Sequence, residues 1–260
     1  MTTALAGDFD YDTHGRGYAL QRRPDPRIAG LVHAALGDAR TVLNVGAGAG
    51  SYEPADRYVL AVEPSAAMRA QRPAAAAPAV AAAAEDLPFD DESFDAVMAT
   101  VTVHQWRDVG RGLAELRRVS CGPVVVLTFD GDELDRLWLA EYAPELIDAE
   151  RRRYPAIARI AEAIGPATEV IEVPIPIDCV DGFTEAYYAR PEAFLDPRVR
   201  AAQSAWGFVS AAATERAISS LSADLASGEW ERRHGHLREQ PWFLGSLRLL
   251  VGLGSRHAGG

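Results

Sequence analysis

The sequence predicts an α/β fold built on a mostly parallel sheet with helices on both faces. Three observations carry that prediction. Short runs rich in β-branched residues (TVLNV, YVLAV, FDAVMAT, PVVVLTF) recur through the first half. Segments with apolar residues at helical spacing lie among them. The last of the four runs is continuous rather than alternating, as in a strand buried on both faces. Strands that alternate with helices call for parallel crossover units.

The elements follow in order. Residues 8–26 are polar, with Gly15, Gly17, Pro24 and Pro26, and read as an irregular arm. Pro26 suits a helix start, Ile28, Leu31, Val32, Ala35 and Leu36 follow at helical spacing, and Gly37 ends the helix. Thr41–Val45 and Tyr58–Val62 are strands, joined by the short crossover GAGAGSYEPADR. Ser65–Gln71 is a short helix that Pro73 ends, and the alanine-rich stretch 74–84 reads as loop, helix or a weak strand near Val80. Phe94–Thr100 is a strand, Val109–Val119 a helix and Pro123–Phe129 a strand. Residues 131–165 then read as helices rich in charge and aromatic groups. Glu169–Ile177 reads as a strand that Pro174 and Pro176 confine to an edge or bulge. Residues 183–233 are mostly helical, and Leu247–Leu253 is a closing strand.

Composition excludes several classes of function. The chain has 260 residues, 48% of them hydrophobic, enough to bury a substantial core. A formal net charge of −11 disfavours nucleic acid as a partner. Cys121 and Cys179 are too few for a disulfide scaffold, and with no close Cys/His set no metal is expected. The start, MTTALAGDFDYD, lacks the basic and apolar segments of a signal peptide, and no apolar run has membrane-spanning length. A cytoplasmic monomer or homodimer with no membrane partner is the expectation.

The stretch TVLNVGAGAG carries the first chemical signal. A strand followed at once by glycines presents bare backbone at the C-terminal edge of a parallel sheet, where ligands bind. Glu63 ends the next strand, 17 residues after Gly46. A carboxylate there can accept both hydroxyls of a ribose. The glycines run G-x-G-x-G, with Ser51 where the dinucleotide fingerprint has its third glycine, which disfavours a nicotinamide-dependent oxidoreductase.

The stretches VLNVGAGAG, AVEPSAAM, AEDLPFDDESFDAVMA, TVHQW and LAELRRV, in this order over about residues 41–129, resemble the class I S-adenosylmethionine-dependent methyltransferases, in the ubiquinone/menaquinone-type (type 11-like) branch. The resemblance implies a Rossmann-like, seven-stranded, mostly parallel sheet with helices on both faces and a helical cap inserted before the last strand. It implies one domain over 1–260: an arm (1–26), a cofactor-binding half (27–130), a substrate half with the cap (131–246), and a closing strand and tail (247–260). Carried over, Gly46, Gly48 and Gly50 lie under the methionine part of S-adenosylmethionine. Glu63 holds the ribose, with Pro64 and Met68 beside the adenine and Glu85 and Asp86 in the adenine-edge turn. Thr100 and Val101 fall near the sulfur. In the arm, Tyr11, Tyr18, Arg22 and Arg23 are candidates for the methionine carboxylate or the substrate. Two departures stand out. Asn44 occupies a position usually acidic and orients the loop without pairing with the cofactor amine. Ala83 stands where the family often has Asp.

Methyl transfer is an in-line displacement from a sulfonium, so the enzyme mainly aligns the reacting atoms. His104, just past the fourth strand, is the candidate general base or else a packing residue of its loop, with Gln105 and Trp106 shaping the wall. The turn DCVDGF brings Asp178, Cys179, Asp181 and Phe183 to the cap mouth, or supplies Asp181 or Thr184 as a helix cap. The run Glu150–Arg153 reads as a solvated helix face, Arg232, Arg233, His234 and His236 as a surface cationic knot, and Trp138, Trp206, Trp230 and Trp242 as cap core. The sequence reading is methyl transfer to a small molecule. The alternative is a protein of the same fold that binds the cofactor without transfer, cyclase-like or a sensor.

Overall fold

The chain enters helix α1 (Pro26–Ala35) through Asp25, whose carboxylate accepts from the Arg27 N–H and caps the first turn. The computed structural model describes residues 22–254. Pro26 at the first helical position needs no N–H partner, and Gly37 closes the far end at φ +57°. Ile28, Val32 and Leu36 fall on one stripe and are fully buried against the sheet, each burial contributing roughly 2 kcal/mol.

Seven strands form the main sheet in the order β3-β2-β1-β4-β5-β9-β6. They are β1 (Thr41–Val45), β2 (Tyr58–Val62), β3 (Ala79–Val80), β4 (Ala96–Thr100), β5 (Val124–Phe129), β6 (Thr168–Glu172) and β9 (Leu247–Gly252). β1 to β5 run parallel, with Leu43 opposite Leu60 and Val97. β9 is antiparallel to both β5 and β6, so β6 points the same way as the first five. All six residues of β5 are buried, as its continuous apolar run requires. Of the readings open for residues 74–84, the strand at Val80 is the one that forms.

Helices cover both faces. On one side α1 packs with the cap. On the other, α3 (Val109–Val119) and α6 (Ile157–Ile164) bury Leu113, Leu116, Val119, Ile160 and Ile164 against Val97, Val124 and Val126. Between β2 and β3 lies only the short α2 (Ala66–Ala70), capped by the Ser65 hydroxyl.

One strand boundary differs from the sequence reading. Glu169–Ile177 is not continuous. The ladder to β9 ends where Val173 N donates to Leu247 O, Pro174 follows, and the chain changes partner to form β7 (Ile175–Pro176) against β8 (Trp242–Phe243). Pro174 has no N–H to continue the first ladder, which fixes the break there.

The cap spans the segments after β5 and after β7. It contains α4 (Leu139–Tyr142), α5 (Pro144–Arg153), α7 (Pro197–Ala201), α8 (Ala211–Ser227) and α9 (Glu229–His234), with 3₁₀ turns between them. Its core is aromatic. Trp138 meets Tyr142, Phe194 and Trp230 edge-on at 5.5–5.8 Å and donates its indole N–H to Tyr188 O at 2.7 Å. Trp206 and Trp230 are buried as expected, whereas Trp242 is 44% exposed, with Arg27 over its ring.

Candidate functional site

The strand order reverses between β1 and β4, so their C-terminal ends open a crevice at the switch point. The loop after β1 fills its floor. Gly46 and Ala47 both donate N–H to Val62 O, at 2.9 and 3.0 Å. Gly46 sits at φ +70°, and a Cβ there would lie 2.1 Å from Thr102 Oγ1. Conformation and packing both therefore require glycine at this position.

Glu63 at the end of β2 holds the loop. Its carboxylate accepts from Gly48 N and from Ser65 N, each at 2.8 Å. Burial pushes its pKa up, against those two hydrogen bonds. Above this floor lies an open cavity. It is walled by the bare backbone of Gly46–Ala49, Glu63, Met68, Thr100 and Val101. Exposed backbone, an anchored carboxylate and an apolar thioether side fit the methionyl, ribosyl and adenine parts of the expected cofactor.

Asn44 does not reach that wall. It is fully buried and donates Nδ2–H to Glu53 Oε1 at 3.1 Å, while Arg72 pairs with Glu53 at 2.8 Å and donates to Gly48 O at 3.4 Å. Asn44 therefore shapes the loop through Glu53 and Arg72, in keeping with the orienting role read from sequence. Gly50, Pro64, Glu85, Asp86 and Arg23 also lie off the wall. The Glu85 carboxylate is occupied by the Arg107 and Asp108 N–H groups at 2.7 and 3.1 Å, and Asp86 points to solvent near Arg111.

A second cavity adjoins the first under the cap, sharing Arg22, Val101 and Gln105 with it. Val101 holds φ +52°, a strained conformation for a β-branched residue, at the junction. The second cavity is walled by His104, Phe129, Glu150, Tyr154, Phe183 and Glu185. His104 stands on the turn Val103–Gln105, where the sequence places it. Its ring lies 4.8 Å from Tyr154, and among the described residues its Nδ1 has no hydrogen-bond partner. Burial, then the positive charges of Arg153 and Arg22, keep its pKa well below the ordinary value, so the imidazole is neutral at neutral pH.

Glu150 and Glu185 are the residues the sequence hid. Glu150 belongs to the run read as solvated, yet it is buried, and burial pushes its pKa up to about 7. Glu185 is buried too, accepts from Ser246 N at 2.9 and 3.1 Å, and is pushed by burial up to about 7. A charge run has no inward-facing member in sequence until the helix phase against the cap is known.

Three other readings change. Asp181 caps no helix. Its carboxylate takes Arg22 Nε–H at 2.6 Å and Tyr52 O–H at 2.7 Å, tying the cap to the glycine loop and to the segment before α1. Trp106 is off both cavities, its ring lying where a Gly112 Cβ would be, 2.5 Å from that position, so it serves α3 packing. Cys179 is buried in the core with burial raising its thiol to about 12, which leaves it neither on the wall nor reactive. Tyr11 and Tyr18 lie outside the described residues. His234 bonds Glu141 at 3.3 Å, and among the described residues no group of three or more His, Cys, Asp or Glu is placed for a metal. Among those residues no helix is long and apolar enough to cross a membrane.

A family model described as a methyltransferase domain matches residues 43–122. No curated protein matches the chain. The chain is similar to a structure from Anabaena variabilis described as a methyltransferase of an antibiotic biosynthesis pathway. The two share 30% identity over 89% of this chain and 98% of that one, with a TM-score of 0.82. It shares the fold of a Thermotoga maritima S-adenosylmethionine-dependent methyltransferase at 20% identity, over 64% of this chain and 84% of that one, with a TM-score of 0.51. It also shares the fold of a Haemonchus contortus phosphoethanolamine N-methyltransferase bound to phosphomonomethylethanolamine and S-adenosylhomocysteine. That match has 16% identity over 94% of this chain and 57% of that one, with a TM-score of 0.53.

Proposed function

We propose that this chain, which belongs to the class I S-adenosylmethionine-dependent methyltransferases, transfers a methyl group to a small-molecule acceptor held under its helical cap. The observation that carries the proposal is the junction of the two cavities. One is floored by the glycine loop and Glu63, the other is walled by His104 and the cap, and they meet at Val101 and Gln105. When bound, S-adenosylmethionine supplies an electrophilic methyl group on a sulfonium. Residues 27–130 act as the half that binds it and 131–246 as the half that binds the acceptor.

The chain's own groups then have distinct tasks. The backbone of Gly46 and Gly48, with Gly50 completing the turn, bears the amino-acid part. Glu63 accepts from the ribose hydroxyls, and Met68 packs beside the base. Thr100 and Val101 fix the sulfur end. Phe129, Phe183 and the cap exclude water and orient the acceptor for in-line attack. Neutral His104, its Nδ1 without a partner among the described residues, is in the protonation state needed to accept a proton from an acceptor O–H or N–H. Asn44 and Arg72 hold the loop from behind.

Isothermal titration with S-adenosylhomocysteine tests the reading. The wild-type chain is expected to bind, and Glu63→Ala to bind at least about tenfold more weakly, because a charge-assisted acceptor is lost. No binding by the wild type, or equal binding by both, would refute the assignment of the first cavity.

A further inference from the structure

We infer that the acceptor carries a protonated amine, received in the second cavity by the carboxylates of Glu150 and Glu185 and the rings of Phe129, Tyr154 and Phe183. The inference rests on the methyltransferase reading only in calling the ligand an acceptor. Its basis is an imbalance in the cavity wall. Glu150 is 7% exposed and Glu185 2% exposed, and among the described residues neither forms an ion pair. Among the described residues Glu150 receives only a long 3.4 Å contact from the Thr184 hydroxyl, and Glu185 only the two from Ser246 N. Two buried acids with no ion-pair partner among the described residues are costly: Arg153, Arg22 and Arg248 act on them only from beyond ion-pair distance, and burial drives both up to about 7. A cation between them reverses that cost.

The rest of the wall agrees. His104, 9% exposed, presents in the same cavity an Nδ1 with no partner among the described residues, a further acceptor for an N–H. Phe129 lies 5.5 Å from the Tyr154 ring and 5.4 Å from the Phe183 ring, an aromatic surround whose faces attract a cation. The nearby guanidinium groups are engaged elsewhere. Arg22 pairs with Asp181 at 2.6 Å, and Arg153 donates to Ser204 Oγ at 3.1 Å and lies over Phe208. An anionic group entering the cavity would meet two carboxyls, whereas an ammonium meets acceptors on several sides.

The test uses the full chain and three probes matched in size: phenethylamine, 2-phenylethanol and phenylacetate. Each is titrated calorimetrically with and without saturating S-adenosylhomocysteine. Phenethylamine is expected to bind about tenfold or more tighter than 2-phenylethanol, with phenylacetate weakest. Glu150→Gln and Glu185→Gln should each erase most of the amine's advantage while leaving the alcohol and S-adenosylhomocysteine unchanged. Equal or tighter binding of the alcohol by the wild-type chain, or no binding of phenethylamine, overturns the inference whatever the variants do. If S-adenosylhomocysteine fails to bind, the cofactor reading falls, and the amine-to-alcohol ratio without it still decides this one.

Discussion

Replacing Glu150 with Gln should stabilise the fold at alkaline pH and leave it unchanged at acid pH. Glu150 is buried on α5, and burial lifts its carboxyl from 4.5 to about 7, against the opposing pull of Arg153, the weak Thr184 bond and Arg22. Glu185, on the wall of the same cavity, is raised by burial and further by the charge of Glu150. A folded-state pKa above the unfolded one means that the native state binds the proton more tightly. The associated stability is therefore fully present below about pH 4.5 and is lost as pH rises through about 7. For this rise the loss is on the order of 3 kcal/mol above pH 7. Gln keeps the acceptor oxygen for Thr184 and carries no charge, so Glu150→Gln escapes the loss. For a chain of this size that is a gain in Tm on the order of 5–10 °C at pH 8.5, with wild type and variant melting together near pH 4.5. Scanning calorimetry across that range checks it. A difference that does not change with pH, or one that favours the wild type more as pH rises, refutes the reasoning.

Three further outcomes follow from contacts at the site. Gly46→Ala should cost about 3 kcal/mol or more in urea unfolding, because φ +70° and a 2.1 Å approach to Thr102 Oγ1 act together, and a loss under 1 kcal/mol would contradict this. Asp181→Ala should cost about 3–5 kcal/mol, because it breaks a buried ion pair with Arg22 and takes the acceptor from the Tyr52 O–H, while Tyr52→Phe removes only one hydrogen bond and should cost about 1–2 kcal/mol. Equal losses in the two variants would show that the ion pair is not what binds cap to loop.

Much of the fold was legible because its signals are local. β1 and β2 match their apolar runs at both ends, and α3 matches its periodicity. The glycine loop was legible for the same reason: a strand, bare backbone and a carboxylate at the next strand end all lie within about twenty residues. What stayed hidden depends on partners far away in sequence. The break at Pro174 follows from β8, which arrives only at Trp242. Glu150 sits in ERRR, a run whose composition describes a solvated face, and only the packing of α5 against the turn at Thr184 turns that one member inward. Asp181 lies in a turn whose local chemistry suggests a cap, while its partners Arg22 and Tyr52 are 159 and 129 residues away.

Asn44 shows how a departure from a family pattern can be read from its neighbours. An acid at this position would stand where Asn44 now donates to Glu53 Oε1 at 3.1 Å. Glu53 already has its counter-ion, Arg72, at 2.8 Å, and Arg72 also donates to Ala77 O and Gly48 O. A second carboxylate there would put two like charges in contact around one guanidinium, in a place with little solvent access. The amide supplies the donor that the geometry needs, so the substitution fits an intact loop rather than a lapsed one. Asn44→Asp should therefore destabilise the chain by roughly 2–4 kcal/mol at pH 7. Adding Glu53→Gln should recover much of that loss, because one of the two charges is then gone. Urea unfolding of the two single variants and the double variant decides it. If Asn44→Asp is as stable as wild type, or if the double variant loses the sum of the single losses, Glu53 is not the partner that requires an amide here.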